Sequence, residues 1–234
     1  PGCRYCQRGK QNIAEIFPLL SLILPDLQLF KVNILDEVAA ADSESVTHVP
    51  LIILRKSGFN ESIQVPLYEK NQIVNTILRS YFGPVYEISQ KIIGQKLLDL
   101  GESSFVFIGS IDDPNYEEFE NISNNLFLIN TFFLHIEDKQ IAKELVLPSK
   151  NLPQYLLHLA YNDQILLYNG EIEASEIRNF IEVNGRAPIL PYSYSLMQEF
   201  FTKNSYLLVL FPKERSSDSN KLAFAMEAAV INLR

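Results

Sequence analysis

Between Val85 and Val183 the chain alternates between two kinds of apolar segment, and that alternation limits the fold more than any other feature. Val85–Ile88, Ser104–Gly109, Thr131–Ile136, Gln154–Leu159 and Gln164–Tyr168 are short apolar or period-two runs, the pattern of strands. Gln90–Leu100, Tyr116–Ser123, Asp138–Val146 and Ser175–Val183 repeat their apolar residues every three or four positions, the pattern of helices. Asp112-Asp113-Pro114 marks a break and Tyr161-Asn162-Asp163 a turn, and Ala174-Ser175 with Glu176 forms the cap region of the last helix. The order βαβαβαββα supports an α/β layered fold.

The plan also runs upstream and downstream of this stretch. Gln7–Leu24 reads as a helix with Ile13, Ile16, Phe17 and Leu20 on its apolar face, and Gln28–Ile34 as an alternating strand. Asp36–Ser45 is a short helix or loop. Thr47-His48-Val49-Pro50 leads into a buried strand at Leu51–Leu54, a basic turn at Gly58, a strand over Ser62–Leu67 and a helix over Lys70–Tyr81. A third round opens at Pro188–Pro191 and continues through a helix at Ser195–Thr202, a buried strand at Tyr206–Phe211 and a helix at Ser217–Leu233.

Composition removes several function classes. Of 234 residues, 47% are hydrophobic, enough for a packed core. The net charge of −8 disfavours nucleic acid and anionic membrane surfaces as partners. No apolar run approaches the ~18 residues of a membrane helix, and the nearest candidate, Ile16–Leu24, contains Pro18 and is flanked by Glu15 and Asp26. Three histidines and two cysteines cannot build several metal sites. The chain begins at Pro1, so the compartment stays open on this evidence.

The two cysteines, Cys3 and Cys6, lie three apart in Gly2-Cys3-Arg4-Tyr5-Cys6, at the start of the first helix. That spacing puts both sulfurs on one helical face, within reach of a disulfide or a shared metal. A helix N-terminus stabilises a thiolate, and Arg4 and Arg8 add positive charge. Cys3 is then the attacking sulfur and Cys6, deeper in the helix, the resolving one. Three readings compete: a redox dithiol, half of a zinc site, and an inert remnant in a structural domain. Zinc wants four ligands, and neither a second CxxC nor a nearby His pair exists, so the metal reading is the weakest of the two chemical ones. No metal or cofactor is expected.

The series CxxC, helix, strand, Val49-Pro50 before a strand, hairpin at Lys56-Ser57-Gly58, strand and helix resembles the thioredoxin superfamily. The succession of a cysteine-bearing module and cysteine-free ones resembles the protein disulfide isomerases. Phe105–Gly109 suits the first long strand of the second module, Leu167-Tyr168-Asn169-Gly170 with Ile177–Ile181 and Pro188-Ile189-Leu190 the passage to the third, and Tyr206–Pro212 its central strand. The chain departs from the family pattern at Gly2 (usually Trp), at Arg4-Tyr5 (often Gly-Pro or Gly-His) and at Gln11 (usually Pro).

The resemblance implies an α/β fold of tandem thioredoxin-like domains, each a central mixed sheet flanked by helices, with the first and last units incomplete. These are a redox module over 1–82, a redox-inactive module over 83–186 and the start of another over 187–234. It implies that the natural protein extends upstream of Pro1, where a central strand and a buried proton-shuttling acid would lie. It implies a cis Pro50 against the cysteines, with the Val49 backbone pairing with an extended client; an ordinary strand-start proline is the alternative. Tyr5 is a client contact or a solvent-exposed residue. His48 is brought towards the cysteines as a tuner of Cys3, whereas His135 and His158 are read as structural or surface residues.

The function so implied is thiol–disulfide oxidation or isomerisation of client proteins in the endoplasmic reticulum lumen or secretory pathway. The alternative is a redox-inert thioredoxin-like scaffold or chaperone-type subunit. Partners are unfolded or disulfide-bonded clients, with an assembly partner left open. Phe119, Phe132, Phe133, Tyr155, Tyr161, Phe200 and Phe201 are candidates for a client surface, although aromatic residues at these spacings usually fill cores. Glu117, Glu118 and Glu120 read as a solvated helix face. Asn60-Glu61-Ser62 and Asn121-Ile122-Ser123 fit the N-glycosylation pattern, a match that chance supplies in a chain rich in Asn and Ser.

Overall fold

The computed structural model describes residues 4–33, 36–44, 46, 49–55, 62–65, 69–126 and 130–185. The chain divides into two compact units, Pro1–Arg186 and Ala187–Arg234. The second unit, and with it the expected third round of the plan, lies outside the described residues.

The first unit opens with helix α1 (Arg4–Ile23), followed by α2 (Val38–Ser43), strands β1 (Ile52–Arg55) and β2 (Ser62–Val65), and α3 (Lys70–Phe82). Then come β3 (Tyr86–Glu87), α4 (Lys91–Leu100), β4 (Ser103–Ile108), α5 (Pro114–Asn125), β5 (Thr131–Ile136), α6 (Lys139–Glu144), β6 (Gln154–Leu159), β7 (Gln164–Tyr168) and α7 (Ala174–Asn184). β1 and β2 form an antiparallel hairpin, and the other strands form one sheet in the order β3-β5-β4-β6-β7. β3 and β4 run parallel to β5, while β6 pairs antiparallel with β4 and β7 with β6. The expected mixed sheet flanked by helices is therefore present.

β4 and β5 are buried along their whole length because helices cover both faces. Val106, Ile108, Phe132, Leu134 and Leu156 face a core that also holds Ile73 and Ile77 of α3, Leu97 of α4 and Ala142 of α6. Phe105, Phe107, Phe133, Tyr155 and Leu157 face the opposite core, closed by Phe119 and Ile122 of α5 and Ile177 and Ile181 of α7. The period-two alternation of each strand is what sends successive residues to opposite cores.

Boundaries follow local chemistry. Asp113 caps α5 by accepting from the Asn115 N–H at 2.9 Å, and Pro114 occupies the first turn, where its missing donor costs nothing. The Asp-Asp-Pro break expected before Tyr116 is thus the beginning of the helix itself. Asp138 caps α6 in the same way, 2.7 Å from the Gln140 N–H. α7 is flanked by Glu173, which makes no side-chain cap, and carries Glu176 in its first turn.

One expected strand does not form. Residues 28–33 lie outside regular structure, with Leu29, Phe30 and Val32 exposed by 54%, 77% and 54%. Alternation marks a segment able to pair and to cover one face, but a strand also needs a neighbour, and none of the described residues pairs with this one.

Candidate redox site at the start of the first helix

α1 runs for 20 residues and carries Cys6 in its first turn. Cys6 is half-buried and disulfide-bonded. Cys3, the other cysteine of the chain, lies outside the described residues, as does His48. Arg4 and Tyr5 are placed in the first turn by their backbone, and their side chains lie outside the described set.

The first turn contains no acidic residue, although acids there would complement the positive end of the helix dipole. Instead the first two turns carry Arg4, Arg8 and Lys10. That choice costs helix stability and favours an anion at the same end, which is the charge of a thiolate.

The helix is held by its other face. Ile16, Leu19 and Leu20 are buried with Leu54 of β1 and with Ile73, Val74 and Ile77 of α3. Two ion pairs join α1 to the start of α3: Arg8 Nη2 to Glu69 Oε1 at 2.8 Å and Lys70 Nζ to Glu15 Oε2 at 2.6 Å. The Lys70 hydrogen bond, reinforced by one from Gln11, holds the Glu15 carboxyl below its ordinary pKa. Arg8, grouped with Arg4 in the sequence as a source of positive charge, is therefore already paired with Glu69.

The Val49–Pro50 peptide bond is cis, and it lies just before β1. Val49 is 48% exposed and Pro50 is half-buried. The cysteine-bearing helix and the strand that follows Pro50 thus contribute to one hydrophobic core. A second cis bond, Leu152–Pro153, stands just before β6, the corresponding strand of the five-stranded sheet. The sequence reading missed it.

Other sequence candidates separate from this site. Phe119, Phe133 and Tyr155 are buried in one core and Phe132 in the other, so these four form no client surface, whereas Tyr161 is half-buried at the edge of the first. Their strand and helix faces point inward, as the spacing already suggested. Phe200 and Phe201 lie outside the described residues. His135 is buried beside Phe107 and Tyr116 and donates through Nε2 to the Gly109 carbonyl at 2.9 Å. His158 is also buried, with Nε2 3.7 Å from Asp163 Oδ1. Burial pulls the His158 pKa down, opposed by Asp163 and Asp99. Among the described residues no group of three or more His, Cys, Asp or Glu could hold a metal ion, and no helix is long and apolar enough to cross a membrane.

No family model matches the chain. Over 225 residues, 94% of its length, it is 24% identical to a probable protein disulfide-isomerase ER-60 of Schistosoma mansoni, and it spans 45% of that relative. Among solved structures it overlaps a crystal form of human ERp44 at 15% identity and a TM-score of 0.39, covering 86% of this chain and 55% of that one. It also overlaps full-length ERdj5 at 12% identity and a TM-score of 0.35, covering 79% of this chain and 28% of that one.

Proposed function

We propose that this chain, which is 24% identical to a probable protein disulfide-isomerase, exchanges disulfides with client proteins through Cys3 and Cys6. The observation that carries the reading is Cys6, disulfide-bonded in the first turn of a helix whose start bears basic residues and no acid.

In the reducing direction, the Cys3 thiolate attacks one sulfur of a client disulfide. The client S–S bond breaks, its other sulfur leaves as a thiolate, and a mixed disulfide forms. The Cys6 thiolate then attacks Cys3, releases the client's second thiolate and leaves Cys3–Cys6 oxidised. The client gains two electrons, and two protons from solvent complete its thiols. The reverse sequence oxidises a client, and partial cycles isomerise one.

Arg4 and His48 tune the Cys3 thiolate in this scheme, and Val49, Pro50 and Tyr5 contact the client. The scheme assigns 1–82 to the redox module, 83–186 to a cysteine-free module and 187–234 to the beginning of another. It places the protein in the endoplasmic reticulum lumen or secretory pathway, with unfolded or disulfide-bonded proteins as clients.

The test is catalysis of insulin reduction and of the refolding of a scrambled disulfide protein by the full-length protein. Cys3→Ser should abolish both. Equal rates for the two proteins would leave a redox-inert scaffold as the function.

A further inference from the structure

The motif left unused by this scheme is Asn121-Ile122-Ser123, an N-glycosylation acceptor pattern that falls inside α5 rather than in a loop. The helix sorts its three residues unequally. Asn121 lies on the exposed stripe with Pro114, Glu117, Glu118 and Asn125, whereas Ile122 and Ser123 are buried. The Ser123 hydroxyl is fully enclosed and donates to the Glu120 carbonyl at 2.8 Å. The Asn121 carbonyl is engaged by Asn125 Nδ2 at 3.0 Å.

We infer that Asn121 is a site of N-linked glycosylation, modified on the nascent chain before α5 closes. This rests on the secretory placement proposed above, and not on the cysteine chemistry. The acceptor pattern needs both the asparagine amide and the hydroxyl two residues on. In the folded helix that hydroxyl is hidden and its proton is committed to Glu120, so the finished fold withholds half of the signal. The finished fold nevertheless accommodates the product, because a bulky polar group at Asn121 extends into solvent from a stripe of polar residues.

The donor is a lipid-linked diphosphate oligosaccharide. A bond forms between Asn121 Nδ2 and C1 of the first sugar, the bond from C1 to the diphosphate oxygen breaks, and the amide gives up a proton as the lipid diphosphate leaves. The glycan then covers the outer face of α5 and removes it as a docking surface.

The test translates the full chain behind a cleavable secretory leader in the presence of microsomes. An Asn60→Gln background removes the other acceptor pattern of the sequence. One slower-migrating, endoglycosidase-sensitive species is expected. Asn121→Gln and Ser123→Ala should lose it, and Ser123→Thr should keep it. The folded, unmodified protein presented to detergent-solubilised microsomes should accept no glycan. A chain protected from protease inside the microsomes yet unmodified overturns the site, and modification of the folded protein overturns the timing. The leader enforces entry to the lumen, and insulin reduction by the same material reads the redox scheme separately, so the two can fail independently.

Discussion

Arg8 of α1 and Glu69, the residue that precedes α3, are 61 positions apart in sequence and joined by a 2.8 Å ion pair. With side chains 62% and 52% exposed, the pair contributes at most about 1 kcal/mol to stability, and salt screens it. The pair also decides whether the Arg8 charge, two residues along the helix from Cys6, is compensated. Glu69→Gln leaves the guanidinium uncompensated and should lower the thiol pKa of the reduced protein, while Arg8→Glu should raise it, each by less than about one unit. The pH dependence of iodoacetamide alkylation reads both shifts. Identical profiles for the two variants would show that the pair does not influence the thiols.

His158 makes stability depend on pH in a defined direction. Burial holds its folded pKa below the ordinary 6.5, so between those two values the unfolded chain binds more protons than the folded one. Stability is therefore complete above pH 6.5 and falls as the pH drops through that value towards the folded pKa. The urea midpoint should be lower at pH 5 than at pH 7.5, and His158→Leu should flatten that difference. Glu15 acts in a separate window, below its ordinary 4.5, where protonation removes the acceptor of Lys70.

Phe105 is the centre of the aromatic core between the sheet and α5, with ring neighbours Phe119, Phe133, Tyr155 and Tyr168 at 5.9–6.2 Å. It is fully buried, so Phe105→Ala removes its transfer energy and leaves a cavity walled by rigid rings. The expected loss is about 3–5 kcal/mol, measured by denaturant unfolding. A loss below about 1 kcal/mol would mean that the neighbouring rings collapse into the space.

Much of the five-stranded sheet was legible because its strands are short, its turns carry Asp, Asn and Pro, and each strand's alternation has a helix to face. Thr131–Ile136, Gln154–Leu159 and Gln164–Tyr168 form with the expected bounds. Gln28–Ile34 shows the limit of that reading: Leu29, Phe30 and Val32 alternate correctly, yet pattern encodes a face and not a partner. At the candidate site, two cysteines before an amphipathic segment foretold a helix beginning there, and α1 begins at Arg4 with Cys6 in its first turn. The Arg8–Glu69 pair and the burial of His135 and His158 were not legible, because each depends on residues distant in sequence. Cys3 and His48 lie outside the described residues.

β4 is flanked by β5 and β6 and roofed on both sides, so none of its amides has a local route to solvent. Fraying at an edge strand or a lapse in one helix leaves it sealed. Its deuterium uptake is therefore a clock for collapse of the entire sheet, with the slowest ticks among the described residues expected at Val106 and Phe107.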